Sequence, residues 1–138
     1  MRESRMAPDL AARGADFVTF WTERHLGTVT TLRPNGTPHV VPVGVTLDVH
    51  SAVARVITSG TSQKARNVWA AGTDGTYVAV CQVDGRRWST LEGRAVVHSD
   101  PDSVAEAERR YAERYRVPRE NPRRVVLEIT VTRVLGTV

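Results

Sequence analysis

The order of apolar and polar positions along the chain predicts a mainly β protein with peripheral helices. Near the start, apolar residues recur at helical spacing and predict a helix over residues 8–25. Further on, β-branched and alternating stretches bounded by turn residues predict strands. The six predicted strands cover residues 27–33, 39–47, 54–59, 76–83, 86–98 and 124–135. Two further predicted helices cover residues 62–71 and a stretch that begins after Asp100-Pro101.

The turns between the strands predict antiparallel pairing. Asn35-Gly36 and Asp84-Gly85 each join two strand-like runs, which is typical of a β-hairpin. Hairpins at regular spacing favour a small antiparallel barrel, or a sandwich, over a doubly wound parallel sheet. We therefore expect an antiparallel barrel with helices packed at its openings. The strand over residues 39–47 is nearly all apolar, which predicts burial on both of its faces.

The helical patterns also predict which side chains are buried. Trp21 and Trp69 occupy helical positions that favour a place in the core. In the last helix, the side chains expected to pack against the barrel are Val104, Ala107, Tyr111 and Tyr115. Those expected to face water are Glu106, Glu108, Arg109, Arg110, Glu113 and Arg114.

Size and charge narrow the classes of function. The 138 residues suit one domain, and a formal net charge of +4 favours an acidic partner: nucleic acid, a membrane surface or a polyanionic small molecule. The arginines are spread along the chain, which argues against nucleic acid. No apolar run approaches the ~20 residues of a membrane span, and the start lacks a signal-peptide core, so we expect a cytoplasmic protein. With one cysteine, Cys81, and no metal-ligand spacing among the histidines, we expect no metal site.

Lys64 is the only lysine among the 19 basic residues. It lies in the first turn of the predicted helix over residues 62–71, which Ser62 would cap. The free N–H groups and partial positive charge of a helix start bind phosphate, and a compact ammonium suits a single phosphate oxygen. A solvated surface lysine is the alternative. The side chains that would complete a phosphate site are Asn67, Arg55 and Thr58.

Several segments of the chain resemble the split β-barrel flavin and deazaflavin oxidoreductases related to pyridoxamine 5′-phosphate oxidase. The matching segments are Leu26-Gly27-Thr28-Val29-Thr30-Thr31-Leu32, Pro38-His39-Val40-Val41-Pro42-Val43, Ser62-x-Lys64-x-x-Asn67 and Leu91-Glu92-Gly93-Arg94-Ala95. Two longer stretches are similar to the biliverdin reductases of the branch that uses coenzyme F420. They are Gln82-Val83-Asp84-Gly85-x-Arg87-Trp88 and Arg114-Tyr115-Arg116-x-Pro118-x-x-Asn121-Pro122-Arg123-Arg124-Val125-Val126.

This resemblance implies a six-stranded split barrel that forms a homodimer, with a cofactor site at each end of the interface. The phosphate of F420 would lie on Ser62, Lys64 and Asn67, and its ring along the strand Val41-Pro42-Val43-Gly44. The other residues expected near the cofactor are Arg55, Thr58, Gln63 and, from the partner chain, Trp88. Arg55 and Arg66 are candidates for the anionic tail of F420. The family also contains FMN binders, and phosphate contacts alone do not separate the two cofactors.

The activity implied is hydride transfer from reduced F420 to a conjugated substrate, a biliverdin-type linear tetrapyrrole. Such a substrate bears two propionates, which suit arginine side chains. The expected substrate contacts are His39, Arg87, Arg94 and Arg116, whereas no catalytic side chain is assigned. The alternatives are an FMN-dependent oxidoreductase on the same barrel, a non-catalytic binder of a cofactor or tetrapyrrole, and a basic module that binds nucleic acid.

Overall fold

The computed structural model describes residues 8–138, so the N-terminal stretch in which no signal-peptide core was found lies largely outside the described residues. Helices and strands follow one another along the chain in much the order that the sequence predicts. The helices are α1 Ala15–Thr22, α2 Gln63–Ala70 and α3 Pro101–Arg114. The strands are β1 Gly27–Leu32, β2 Pro38–Val43, β3 Thr46–Asp48, β4 Val53–Ser59, β5 Thr76–Asp84, β6 Arg87–His98 and β7 Arg124–Gly136.

The strands form one antiparallel sheet that must curl into a barrel. Their order in the sheet is β2-β1-β5-β6-β7-β4-β3, and every neighbouring pair is antiparallel. The two edge strands, β2 and β3, are separated in sequence only by Gly44 and Val45. Because the three steps from Val43 to Thr46 span no more than about 11 Å, the two edges of the sheet come together at this point. We call Gly44 and Val45 the corner.

The corner accounts for the difference between the predicted and observed strand counts. The sequence predicts one strand over residues 39–47, whereas the structure has β2 and β3 on opposite edges, which gives seven strands instead of six. The prediction that this stretch is buried on both faces is wrong for the single chain. Residues of β2 alternate between exposed and half-buried up to Val43, because β2 pairs only with β1.

The predicted N-terminal helix is also shorter than expected. A 3-10 turn covers Leu10–Arg13, and α1 begins only at Ala15. Gly14 separates them with a φ of 102°, a conformation that favours glycine and interrupts the helix. The apolar side chains on this segment nevertheless pack as predicted, since Phe17, Phe20 and Trp21 are buried.

The core fills the barrel and the space under its helices. Alternate residues of the central strands point inward and are buried, among them Val29, Val80, Leu91, Leu127 and Ile129. Helix α2 adds Ala65 and Val68 to this core. The prediction for Trp69 is wrong, because it lies on the outer face of α2 and is 49% exposed.

Helix α3 packs against β3, β4 and β7. Asp100 caps it by accepting a hydrogen bond from the N–H of Ser103 at 3.0 Å, and Ala107 is buried beneath it. The prediction that Arg114 faces water is wrong. Its guanidinium donates to backbone carbonyls of Phe20, Glu23 and Val45 and to the side chain of Gln82. The end of α3 is therefore tied to three other parts of the fold. Within residues 8–138, no helix is long and apolar enough to cross a membrane.

Candidate functional site: a cationic cleft at the sheet corner

A cleft of about 380 Å³ opens where the corner, the end of β4, the start of α2 and the loop after α3 meet. We call it the cationic cleft, because four basic side chains and no acidic ones line it. Its lining residues are Pro42, Val43, Gly44, Ile57, Thr58, Ser59, Lys64, Tyr111, Arg116, Pro118, Arg119, Asn121 and Arg124. This charge pattern suits an anionic ligand.

The junction between β4 and α2 leaves hydrogen-bond donors available beside the cleft. Ser62 is the N-cap of α2, and its Oγ accepts from the N–H of Ala65 at 3.2 Å. The same oxygen accepts from the Thr58 hydroxyl at 3.0 Å. Because Ser62 Oγ already accepts twice, its own hydroxyl hydrogen is free to be donated to a ligand. The helix start adds partial positive charge.

Lys64 supplies the charge at this junction. It lines the cleft, is half-buried, and makes no hydrogen bond or ion pair with the described part of the chain. Burial lowers the pKa of its ammonium below the ordinary value of 10.5. An anion bound beside Lys64 would offset this desolvation, as expected of a phosphate ligand.

The other side of the cleft is formed by the loop between α3 and β7, residues 115–123, and the first residue of β7. Arg124 is held by an ion pair with Glu108, at 2.8 Å. Arg116 and Arg119 also line the cleft, yet neither has an ion-pair partner within residues 8–138. Their charges are therefore available to a ligand.

Aromatic rings pack against the corner from α3. The rings of Tyr111 and Tyr115 lie 4.9 Å apart, centroid to centroid. A β-carbon on Gly44 would lie 2.9 Å from Cε2 of Tyr111 and 3.0 Å from Cε2 of Tyr115. Glycine at this position is thus required for the rings to approach the backbone. Tyr111 and Gly44 both line the cleft, so this contact shapes its floor.

The structure brings only part of the predicted site together. Five of the predicted residues line the cationic cleft, namely Pro42, Val43, Thr58, Lys64 and Arg116, and Ser62 and Gln63 lie directly beside them in the chain. Asn67 does not join them. It is 4% exposed, donates to the Thr31 hydroxyl at 2.9 Å and accepts from Gln63 at 2.7 Å. Its amide is thus used inside the fold.

Three other predicted residues of the strands lie outside the cleft lining. Arg55 Nε lies 4.0 Å from a Glu128 carboxylate oxygen, while its Nη1 is buried without a partner in the described chain. Nδ1 of His39 is likewise buried and unpartnered there. Val41 packs against the hydrophobic core. Within one chain these residues do not contribute to the cleft surface.

The predicted residues of the β5–β6 hairpin also lie apart from the cleft. Arg87 is paired with Asp84 at 2.6 Å and Glu23 at 3.1 Å. Arg94 lies over the Tyr77 ring at 4.4 Å from its centroid. Trp88, at the start of β6, is 37% exposed. A single chain therefore does not place these three side chains at the Lys64 cleft.

Sequence reasoning missed several residues of the cleft. Tyr111 was expected only to pack, and Gly44 was expected only as the last residue of the strand along the ring. Arg119, Asn121 and Arg124 lie in the stretch that resembles the biliverdin reductases, from which only Arg116 is predicted as a contact. The signal that points to Arg119 and Asn121 is the polar run between Pro118 and Pro122, directly before the last strand. Within residues 8–138, no group of three or more metal-ligating side chains is arranged to hold an ion.

The chain belongs to the pyridoxamine 5′-phosphate oxidase family, whose family model matches residues 15–137. It is 55% identical over 122 residues to an F420H2-dependent biliverdin reductase from Mycobacterium tuberculosis. That alignment covers 88% of this chain and 86% of the relative.

Solved structures support the same fold. The chain is similar to an F420 reductase, with a TM-score of 0.66 and 22% identity, over 85% of this chain and 94% of the other. It is also similar to a pyridoxamine 5′-phosphate oxidase-like protein from Listeria innocua, with a TM-score of 0.67 and 14% identity, over 88% and 94% of the two chains. The predicted split-barrel class is therefore confirmed, with seven strands.

Proposed function

We propose that this protein is an F420H2-dependent reductase that transfers a hydride to a conjugated substrate, a biliverdin-type linear tetrapyrrole. The observation that carries the proposal is the 55% identity, over most of both chains, to a relative named for that activity. The cationic cleft supports it independently, since four basic and no acidic side chains line it. Coenzyme F420 bears a phosphate and an oligoglutamate tail, so it is a polyanion.

The residues at the β4–α2 junction fit the phosphate of such a cofactor. Ser62 retains a hydroxyl hydrogen for donation, and Lys64 has no internal charge partner within the described residues. Both groups lie at the start of α2, where helix N–H groups favour an anion. We propose that these two side chains hold the phosphate, and that Thr58, which donates to Ser62 Oγ, orients the Ser62 hydroxyl. The earlier expectation for Asn67 is replaced by a supporting role, because its amide orients Gln63 and contacts Thr31.

The corner fits the ring of the cofactor. Pro42, Val43 and Gly44 line the cleft next to Tyr111 and provide an apolar surface with backbone groups along its edge. When bound, reduced F420 supplies the hydride. The part of the chain is then to hold the substrate carbon against the ring, exclude water and stabilise developing charge.

We propose that the protein works as a homodimer. Large apolar side chains of the sheet are exposed in the single chain, among them Val40 at 55%, Tyr77 at 63% and Val83 at 65%. Exposed apolar surface of this kind is typical of a protein interface. A partner chain would also be the source of the Trp88, Arg87 and Arg94 side chains that one chain does not bring to its own cleft. Sedimentation equilibrium would test the dimer, and a purely monomeric protein at micromolar concentration would contradict it.

A steady-state assay tests the activity. Purified protein is given reduced F420 with and without biliverdin, beside a parallel reaction with FMN and NADPH. We expect biliverdin-dependent oxidation of F420H2 and no activity above background with FMN. Activity only with FMN would favour the FMN-dependent alternative. Binding of both compounds without turnover would favour a non-catalytic binder.

A further inference from the structure

The cationic cleft has more positive charge than a single phosphate needs, and that charge lies on two separate elements. Lys64 belongs to α2, whereas Arg116 and Arg119 belong to the loop over residues 115–123. We propose that this loop is a carboxylate subsite, in which Arg116 and Arg119 bind the carboxylates of a ligand held at its other end beside Lys64. The identity of the ligand rests on the proposed function, whereas the subsite itself depends only on the loop and its two arginines.

Arg116 and Arg119 differ from the paired arginines of α3 and the start of β7, because no carboxylate of the described chain pairs with them. Arg109 and Arg110 are paired with Glu106 at 2.9 Å and 2.7 Å, and Arg124 with Glu108 at 2.8 Å. Arg116 and Arg119 are exposed and have no carboxylate partner within residues 8–138. A guanidinium offers two parallel N–H donors that match a carboxylate. The fold thus neutralises Arg109, Arg110 and Arg124 and leaves the arginines of the loop for an external anion. Of these, Arg116 and Arg119 line the cleft, whereas Arg123 does not.

The loop is fastened at both ends, although it contains no helix or strand. At its start, the Tyr115 hydroxyl donates to the His25 carbonyl at 2.6 Å. At its end, the N–H of Gly60 donates to the Arg123 carbonyl at 2.8 Å, and the N–H of Arg124 donates to the Asn121 carbonyl at 3.1 Å. The Gly60–Arg123 bond fixes the end of the loop beside the β4–α2 junction. Because both ends of the loop are already held, less conformational entropy is lost when a ligand binds.

Two ligands of the proposed reaction carry carboxylates: the oligoglutamate tail of the cofactor and the two propionates of a linear tetrapyrrole. Their recognition chemistry at the loop is the same. Comparing ligands that differ only in those carboxylates therefore shows whether the loop binds the cofactor tail or the substrate. The tail is absent from the 5′-phosphate of the deazaflavin core, and the propionates are masked in biliverdin dimethyl ester.

The experiment measures ligand preference in four variants. Arg116→Ala, Arg119→Ala and the Arg116→Ala/Arg119→Ala double variant remove the proposed contacts, and Arg133→Ala is the control that removes an arginine elsewhere. Arg133 is an exposed arginine of β7 whose Nη1 lies 3.9 Å from Glu92, outside the cleft lining. The dissociation constants of F420 and of the tail-free 5′-phosphate are measured by fluorescence titration. Those of biliverdin and its dimethyl ester are measured by absorbance, without cofactor.

We expect each loop variant to reduce the preference for the carboxylate-bearing ligand of one pair by roughly two- to fivefold, as is typical of an exposed charged contact. A change in the F420 pair assigns the loop to the tail, and a change in the biliverdin pair assigns it to the substrate. Each pair gives a ratio of two dissociation constants, one for F420 and its tail-free 5′-phosphate and one for biliverdin and its dimethyl ester. If both ratios in the Arg116→Ala/Arg119→Ala double variant equal those of Arg133→Ala, the subsite is refuted. If the wild-type protein binds no deazaflavin, the proposed function fails, and the biliverdin pair alone then decides the subsite.

Discussion

The backbone N–H of Val45 donates to the hydroxyl oxygen of Tyr115 at 3.0 Å, across 70 residues of sequence. The same hydroxyl donates to the His25 carbonyl, and Arg114 donates to the Val45 carbonyl. Burial raises the pKa of Tyr115 above its ordinary value of 10.0, so the hydroxyl stays protonated at neutral pH. Both polar backbone groups of Val45 are therefore held by the end of α3. Because Val45 follows Gly44 in the corner, α3 fixes the position of the cleft floor.

Removing the Tyr115 hydroxyl should loosen this corner. In Tyr115→Phe, the N–H of Val45 is left unpaired in a residue that is 1% exposed. We expect the free energy of unfolding to fall by about 1–3 kcal/mol, as measured by urea denaturation. Affinity for F420 should also fall, since the corner lines the cleft. Tyr111→Phe is the matched control for stability, because Tyr111 is the ring next to Tyr115 and its hydroxyl has no hydrogen-bond partner among the described residues. Equal stability of the two variants would contradict the role of Tyr115.

Lys64→Ala should weaken cofactor binding while leaving the fold intact. The ammonium lines the cleft and supports no internal contact of residues 8–138, so its loss costs little stability. A charge-assisted contact with phosphate contributes about 1.5–3 kcal/mol, and we expect the dissociation constant for F420 to rise by roughly ten- to a hundredfold. Fluorescence titration measures this rise. Arg133→Ala, on β7 and outside the cleft lining, is the control and should bind like wild type. An unchanged affinity in Lys64→Ala would mean that the phosphate lies elsewhere.

Gly44→Ala should disturb the contact between the corner and α3. The added β-carbon would approach Tyr111 and Tyr115 to 2.9 Å and 3.0 Å, so the rings or the backbone must shift. Overpacking of this kind costs about 1–3 kcal/mol, measured as a lower midpoint of urea unfolding. The double variant Gly44→Ala/Tyr111→Leu removes one of the two rings and should regain part of the loss. Wild-type stability in the single variant would show that the corner tolerates a side chain.

Local patterns in the sequence are sufficient to predict most of the sheet but not its corner. Alternation along β7, the turn at Asp84-Gly85 and the first strand of the Asn35-Gly36 hairpin gave bounds that agree with the structure to within one or two residues. The second strand of that hairpin ends at Val43, four residues before its predicted end. The break at Gly44 was missed because residues 39–47 were interpreted as one strand, although Pro42 and Gly44 lie within it. Proline and glycine are compatible with an edge strand as well as with a break, and contacts with Arg114 and Tyr115, far along the chain, stabilise the break. Such tertiary contacts leave no local pattern to detect.

The candidate site likewise contains residues that local patterns predict and residues that only the tertiary fold brings together. Ser62 and Lys64 could be selected from capping alone, because a helix start after a strand is a local feature. Arg119 could not, because its loop reaches Lys64 only through strand pairing. In the register of β4 and β7, Ser59 lies opposite Arg124, which brings the end of the loop next to the start of α2. The cleft therefore depends on a register that no segment predicts by itself.

The ion pairs on α3 should make the free energy of unfolding depend on pH in the acid range. Hydrogen bonds from Arg109 and Arg110 lower the pKa of Glu106 from 4.5 to about 2. Since the folded-state pKa is depressed, this carboxylate stabilises the fold above pH 4.5 and loses that contribution as the pH falls toward 2. The contribution is at most about 1 kcal/mol, because the group is exposed and screened by salt. Urea unfolding at pH 6 and pH 3 measures it.

In Glu106→Gln, the loss of stability between pH 6 and pH 3 should be smaller than in the wild-type protein, since the titrating group is gone. Glu120→Gln is the control: Glu120 is exposed and unpaired within residues 8–138, so this variant should keep the wild-type slope. Adding 1 M salt should bring Glu106→Gln and wild type together, because exposed ion pairs are screened. If Glu106→Gln and wild type lose equal stability at low salt, the acid sensitivity arises from other carboxylates and the Arg109–Glu106–Arg110 contact has no net effect on folding.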